Sequence, residues 1–349
     1  MKKALFLCLI LIFYNSCKST LSSKQKPFSS IIIDTLLIDK ISIRAIAIDG
    51  DKVYYAGNKN RVGYINLKDK SKFERKINKD SLEFEFRSLA ITTKAVYVVN
   101  VANPAFLFRF SKDLVQKQLV YEEKNQKVFY DSMQFWNEME GIALSDPTSN
   151  CLSILLTTDG GKTWQKPSCN GLPKMNEGEA AFAASNTNIV IKGNNTWIVS
   201  GGKKARVYHS LDKGISWKVY ETPIVQGEAM TGIFTADFYN ETIGFIAGGN
   251  YEKPNQNFQN KALSTDGGKT WKLVSENSGF GYASCVQFVP NSNGKKLICV
   301  GSSGLFFSND KGSTWTQLSR DSSLFTIRFI DEKTAIAAGK DKIIRIKFQ

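Results

Sequence analysis

The chain has 349 residues, with 46 Lys and Arg against 32 Asp and Glu, a formal charge of +14, 42 % hydrophobic residues and one histidine. The apolar share, 12 % aromatics and 26 glycines spread along the whole length exclude a disordered chain and suit an all-β chain with many turns. The lone His209 excludes a histidine cluster for a metal and a Ser-His-Asp arrangement. Basic residues scattered among acids argue against nucleic acid as a partner, so the charge reads as a solvated surface suited to anionic lipid or polysaccharide.

In chain order, the first element is an export signal: Lys2 and Lys3, the apolar run Ala4 to Phe13, and the junction Asn15-Ser16-Cys17. A membrane-spanning helix takes ~20 residues, so this run is too short to be one. The pattern resembles a bacterial lipoprotein signal, residues 1–17, with Cys17 lipidated as the mature N-terminus. Tyr14 departs from it, standing where an aliphatic residue is commoner, and simple secretion is the alternative. Loss of Lys2 and Lys3 takes the charge from +14 to +12. Residues 18–29 are rich in Ser and Lys and are expected to be a flexible tether. No acidic run follows Cys17, which points to an outer-membrane anchor facing the periplasm.

Residues 30–349 are expected to be one folded unit of repeated strand sets. Innermost strands are read at Arg44–Ile48, Arg87–Ile91, Asp131–Phe135, Glu179–Ala183, Phe234–Phe238, Ser284–Phe288 and Phe325–Phe329. Second strands follow at Val53–Gly57, Ala95–Asn100, Gly141–Ser145, Thr196–Gly201, Gly244–Gly249, Lys296–Gly301 and Thr334–Gly339. A period of ~40 to 55 residues is that of four-stranded propeller blades, so the expected fold is a seven-bladed β-propeller. The tail leaves the last set one strand short, and Ile31–Ile38 is expected to close the ring as an N-terminal strand.

One eight-residue pattern occurs four times: Thr157 to Trp164 (TTDGGKTW), Ser210 to Trp217 (SLDKGISW), Ser264 to Trp271 (STDGGKTW) and Ser308 to Trp315 (SNDKGSTW). Asp159, Asp212, Asp266 and Asp310 are placed to fold back onto nearby backbone N–H groups, glycine supplies φ > 0, and Trp164, Trp217, Trp271 and Trp315 plug the space below. These turns resemble the BNR/Asp-box β-propellers. They fall between third and fourth strands, so the opposite face carries the inner-strand starts and the second-to-third loops, and a pocket is expected there.

On that face the alignment stacks Arg44, Arg87, Asp131 and Glu179 around the axis, with Phe234, Ser284 and Phe325 at the same position in the other sets. Two arginines gripping an anionic or hydroxyl-rich group would make a ligand site; ion pairs lining a water-filled channel are the alternative. The loops at Asn103-Pro104, Asp146-Pro147, 201–206 and 249–253 cover the same face. Asp131 and Glu179 are also the candidate acid/base pair of a glycoside hydrolase. A sialidase needs three arginines, and Arg328 does not align with Arg44 and Arg87. No metal site and no cofactor motif is read, the Gly201-Gly202-Lys203-Lys204 loop lacking the strand-to-helix setting of a phosphate loop. Cys151 with Cys169, and Cys285 with Cys299, lie symmetrically about turns and are disulfide candidates, with buried free thiols as the alternative.

Met133-Gln134-Phe135-Trp136 to Asp146-Pro147, Gly178-Glu179-Ala180-Ala181-Phe182-Ala183-Ala184-Ser185, and Thr222-Pro223-Ile224-Val225 to Gly248-Gly249 resemble the photosystem II stability/assembly factor-like, or WD40/YVTN/BNR-like repeat-containing, proteins over residues 40–349. The resemblance implies an exported seven-bladed propeller whose photosynthetic relatives bind an assembling membrane protein. Members are sometimes labelled oxidoreductases, a label with no redox residues to attach to here. The expected function is therefore a lipid-anchored, monomeric module of the cell envelope that binds a protein or a glycan. A hydrolase using Asp131 and Glu179, or a purely structural envelope component, are the alternatives.

Overall fold

The computed structural model describes residues 27–79 and 81–349; the expected signal, Cys17 and the tether up to residue 26 lie outside the described residues. Among the described residues every strand pairing is antiparallel, with one 3-10 turn at Cys169–Gly171. Inner strands follow one another around an axis: Ile31–Asp49, Phe86–Ile91, Tyr130–Phe135, Ile189–Lys192, Thr231–Phe238, Ala283–Phe288 and Leu324–Phe329. Each contacts the next, and the last contacts the first, so the ring is closed.

The ladders form six sheets, and the propeller has six blades rather than the seven expected. The sets read as first and seventh are one six-stranded sheet, because the long strand Ile31–Asp49 runs from one into the other. Ile31–Asp49 pairs with Thr334–Phe348 over Ile31–Ile38 and with Lys52–Gly57 over Ile43–Asp49, while Ser42 opposite Lys340 carries the ladder across. A sequence period counts strand sets and is blind to a strand that continues from one set into the next. The continuous ladder leaves no free edge where the two chain ends meet. Phe28, placed by sequence in the tether, is buried on Phe307 and Phe348 with ring centroids 4.8 and 5.0 Å away and so belongs to the packed core.

A second correction concerns the fourth set. Its inner strand is Ile189–Lys192, paired with Asn195–Val199, not Glu179–Ala183. Glu179–Ala180 makes only a two-residue pairing with Gly201–Gly202, and 181–188 are free of strand pairing.

Apolar side chains on both faces of the inner and middle strands fill the spaces between blades. Trp197 shows the pattern: it is wholly buried, stacks on Phe238 at 3.9 Å and His209 at 4.7 Å, and donates its Nε1–H to Gly267 O at 2.8 Å. All four eight-residue turns close on their Asp in the same way, while the Trp164 Nε1 of the first lacks the bond that the other three tryptophans make. Asp159 Oδ1 accepts from the Lys162 and Thr163 N–H groups and Oδ2 from Thr163 Oγ1, and Asp266 repeats this with Lys269 and Thr270. Asp212 and Asp310 hold Ser216 and Thr314 in the same way. Trp217, Trp271 and Trp315 each donate Nε1–H to the glycine carbonyl three residues earlier. Gly161 is required at φ 67° and because a Cβ there would meet the Tyr97 ring.

Cys151 and Cys169 form a disulfide across 18 residues. Cys285 and Cys299 do not pair; both are buried free thiols. Cys285 lies opposite Val300 and Cys299 opposite Val286, so the period of two points the thiols to opposite faces of their sheet. Replacing both Cys151 and Cys169 by serine is expected to cost about 3 kcal/mol for a bridge of this span. Urea unfolding checks it, and identical midpoints for the two proteins would show that the bridge adds nothing.

Candidate functional site

The inner strands share a local irregularity. In six of them the antiparallel register skips one residue, and these are Arg44, Arg87, Asp131, Phe234, Ser284 and Phe325. A bulge leaves its extra residue unpaired and re-aims the side chain. The sequence alignment of these six positions is therefore structural equivalence, whereas Glu179 lies outside the set, ten residues before its inner strand begins.

The axis itself is blocked. Ala184 to Thr187 cross it and are hydrogen-bonded to all six surrounding inner strands. Arg44 Nη1 donates to Ala184 O at 3.1 Å, and Asn186 Nδ2 to Leu89 O at 2.8 Å. The Met133 N–H donates to Asn186 Oδ1 at 2.9 Å, and Thr187 Oγ1 to Thr235 Oγ1 at 2.8 Å. Ser185 Oγ donates to Ser284 O at 2.6 Å, and Arg328 Nη2 to Ser185 O at 2.9 Å. This plug closes the axis against the open channel of the alternative reading and leaves a cavity on either side of it. One, of about 330 Å³, has Gln134, Asn186 and Arg328 among its walls.

The other, of about 410 Å³, opens on the face away from the Asp-box turns and forms a cup. Arg44, Arg87 and Asp146 bring charge to it, Ala180 to Ala184 form its floor and one wall, and Phe129, Met230, Phe234, Tyr251 and Tyr282 complete it. Phe182 stacks on Phe234 at 3.9 Å, and the Tyr282 ring stands edge-on to Phe234 and Tyr251 at 4.8 and 5.1 Å. The Arg44 guanidinium lies 4.2 Å from the Phe325 ring centre, and its Nε has no partner. Burial, and then the neighbouring Arg87 cation, hold the Arg44 pKa below its usual value. Arg87 Nε donates to Glu85 at 2.8 Å.

The two carboxylates placed beside these arginines by sequence are not in the cup lining. Glu179 is consumed elsewhere: its oxygens accept from Ser200 Oγ and Tyr208 OH at 2.6 Å, Asn176 N at 3.0 Å, and Arg206 through both Nε and Nη2. Burial alone would raise this carboxyl, but the donors outweigh it and leave it below the usual range. Asp131 is fully buried behind the wall, and neither of its oxygens has a hydrogen-bond partner; the Ala183 N–H points its way without reaching bonding geometry. Asp131 and Glu179 thus do not face each other across a cavity as an acid/base pair would.

The carboxylate that does reach the cup is Asp146, whose Oδ1 accepts the Ala181 N–H at 2.9 Å. Asp146 and Tyr251 stand in loops that sequence assigned to this face without marking either residue, and nothing local distinguishes Phe129, Phe182 or Tyr282 from core residues. His209 is structural: Nε2 bonds Asn195 Oδ1 at 2.9 Å, and burial lowers its pKa to about 4. Among the described residues no group of three or more His, Cys, Asp or Glu is placed to hold a metal ion.

Residues 155–166 and 262–273, the first and third of the four turns, match the BNR/Asp-box repeat family. A search of curated proteins gives no match. Among solved structures, YCF48 bound to a D1 peptide superposes with a TM-score of 0.65 at 13 % identity, covering 92 % of this chain and 97 % of that one. YCF48 from Cyanidioschyzon merolae gives 0.62 at 12 % identity, covering 91 % and 98 %. U3-55K gives 0.63 at 11 % identity, covering 90 % and 98 %. At these identities the likeness is one of fold, and with the repeat matches it makes the chain a BNR/WD40-like β-propeller.

Proposed function

We propose that this propeller is a protein-binding scaffold that holds an extended, anionic segment of a partner in the axial cup, and that it works in the cell envelope as an exported protein anchored through Cys17. The observation that carries the reading is the pairing of two arginines with an aromatic wall in one blind cavity. Arg44 and Arg87 suit a carboxylate, and the rings of Phe182, Phe234, Tyr251 and Tyr282 suit an adjoining apolar side chain. The plug floors the cup and keeps water from passing through the axis, which strengthens the field of both cations. A propeller of the same fold has been seen with a peptide bound, which supports a peptide rather than a sugar as the occupant.

The test is capture from the native envelope after mild crosslinking, with Arg44→Ala/Arg87→Ala as control. The double variant is expected to lose partner affinity on the order of 100-fold, the scale of two charge-assisted contacts, while its stability falls only by the ~1 kcal/mol of the Arg44–Ala184 O bond. Undiminished capture by the variant would overturn the reading; capture of a glycan alone would turn it to carbohydrate.

A further inference from the structure

We propose that the cup selects a dipolar segment: an acidic group held by Arg44 and Arg87 and, one apolar residue further on, a basic group that pairs with Asp146. The inference deepens the reading of the cup as a peptide-binding site and rests on it. Its basis is a carboxylate that the fold orients completely and leaves with one free oxygen. The Asp146 N–H donates to Phe129 O at 2.8 Å, its carbonyl accepts from Ser145 Oγ at 3.0 Å, and Oδ1 accepts the Ala181 N–H at 2.9 Å. Pro147 follows and restricts the Asp146 backbone to the extended region. Oδ2 has no partner among the described residues, yet it is accessible, on a residue that lines the cup, and so it faces an occupant.

The cations are presented in the same way. Arg44 spends Nη1 on Ala184 O and Arg87 spends Nε on Glu85, which leaves Arg44 Nη2 and both terminal nitrogens of Arg87 for a ligand. Neither arginine neutralises Asp146: the ion pair of Arg87 is with Glu85, and Arg44 makes none among the described residues. Asp146 is anchored at Ala181 and Arg44 at Ala184, three residues along one wall and so at most ~10 Å apart. Side chains two apart on an extended peptide share a face at a spacing of ~6.6 Å, so the acid and the base of an acid-apolar-base tripeptide both turn to this wall. The apolar side chain between them turns the other way, to the rings that complete the cup.

Selection works by exclusion as much as by attraction. A purely acidic occupant would close the cup over Asp146 Oδ2 without giving it a hydrogen bond, and its charge would be repelled. A basic group removes both penalties.

The test uses the full chain at pH 8, above the value of about 7 to which burial raises the Asp146 carboxyl, so that the carboxylate is ionised. One probe is the tripeptide Glu-Phe-Lys, acetylated and amidated at its ends. The other carries norleucine in place of the lysine, which keeps the hydrocarbon chain and removes the charge. Calorimetric titration is expected to show the lysine peptide bound about tenfold more tightly, the scale of one charge-assisted hydrogen bond. Long-range attraction to a basic chain would favour the norleucine peptide instead. In Asp146→Asn, which keeps an oxygen for the Ala181 N–H, the preference is expected to vanish, the lysine peptide binding more weakly and the norleucine peptide more tightly than in the parent. A role confined to holding Ala181 would weaken both peptides alike, so equal losses in the variant overturn the inference. Equal affinity of the parent for the two peptides overturns it also and leaves the anion-binding reading standing. If neither peptide binds the parent, the reading of the cup fails and this inference fails with it.

Discussion

Replacing Glu179 by alanine is expected to lower stability by about 3 to 5 kcal/mol, the cost of stripping one partner from a buried ion pair. The Glu179 side chain is wholly inaccessible and that of Arg206 is 12 % exposed. Without the carboxylate, the Arg206 cation, the Ser200 hydroxyl and the Tyr208 hydroxyl lose their common acceptor in a space too closed for water to replace it. Arg206 Nη2 also donates to Lys174 O at 3.1 Å, so the network ties the loop before Glu179 to the Arg206–Ser210 strand. Glu179→Gln keeps the volume and some of the hydrogen bonds and is expected to cost less. A double-mutant cycle with Arg206→Ala separates the contributions: once the orphaned cation is gone as well, the double variant is expected to be more stable than the sum of the singles predicts. Chemical unfolding of the four proteins measures this, and an alanine variant that unfolds at the parental midpoint would mean the network contributes nothing. The wall of the cup runs on from this anchor through Ala180 and Ala181, so the loss is expected to weaken partner capture also.

The contrast between Glu179 and the arginines shows which parts of the site were legible. Arg44, Arg87 and Asp131 were placed correctly in register because strands of period two, each followed by a clear second strand, align without gaps. In the fourth set that regularity misleads. Glu179 to Ala183 has the small and apolar character of an inner strand, yet the Ile189–Lys192 stretch is richer in β-branched residues and takes the place. The intervening residues are then free to cross the axis, a placement set by tertiary hydrogen bonds from six other strands rather than by local pattern. The same limit explains Cys285 and Cys299, whose symmetry about a turn says nothing of parity across a ladder. It explains the blade count too, since whether Ile31–Asp49 is one strand or two depends on pairing with a segment some three hundred residues away. The Asp-box turns needed no such context: each is closed by atoms within eight residues, so all four were readable.

Asn186→Ala is expected to remove about 4 kcal/mol of stability and, with it, the floor of the cup. Asn186 sits at φ 59°, a backbone region that asparagine tolerates better than alanine. Its side chain makes two bonds to different inner strands, donating to Leu89 O and accepting the Met133 N–H, and it is 4 % exposed. Alanine loses the donation, at about 1 kcal/mol, leaves the Met133 N–H unpaired in the interior, at about 1 to 3, and sits under backbone strain of about 1. Ser185→Ala is the comparison: it loses a donation to Ser284 O and the bond to Thr187 Oγ1 but keeps backbone shape, so about 1 to 2 kcal/mol is expected. If the two variants unfold at the same denaturant concentration, the plug is held by its backbone alone and Asn186 has no special part in it. If Asn186→Ala is much the weaker, the cup should fail with it while the rim stays folded. Opening the axis would let water reach Arg44 from below, where the Ala184 carbonyl now holds it, and partner affinity should then fall at temperatures where the propeller as a whole is still native.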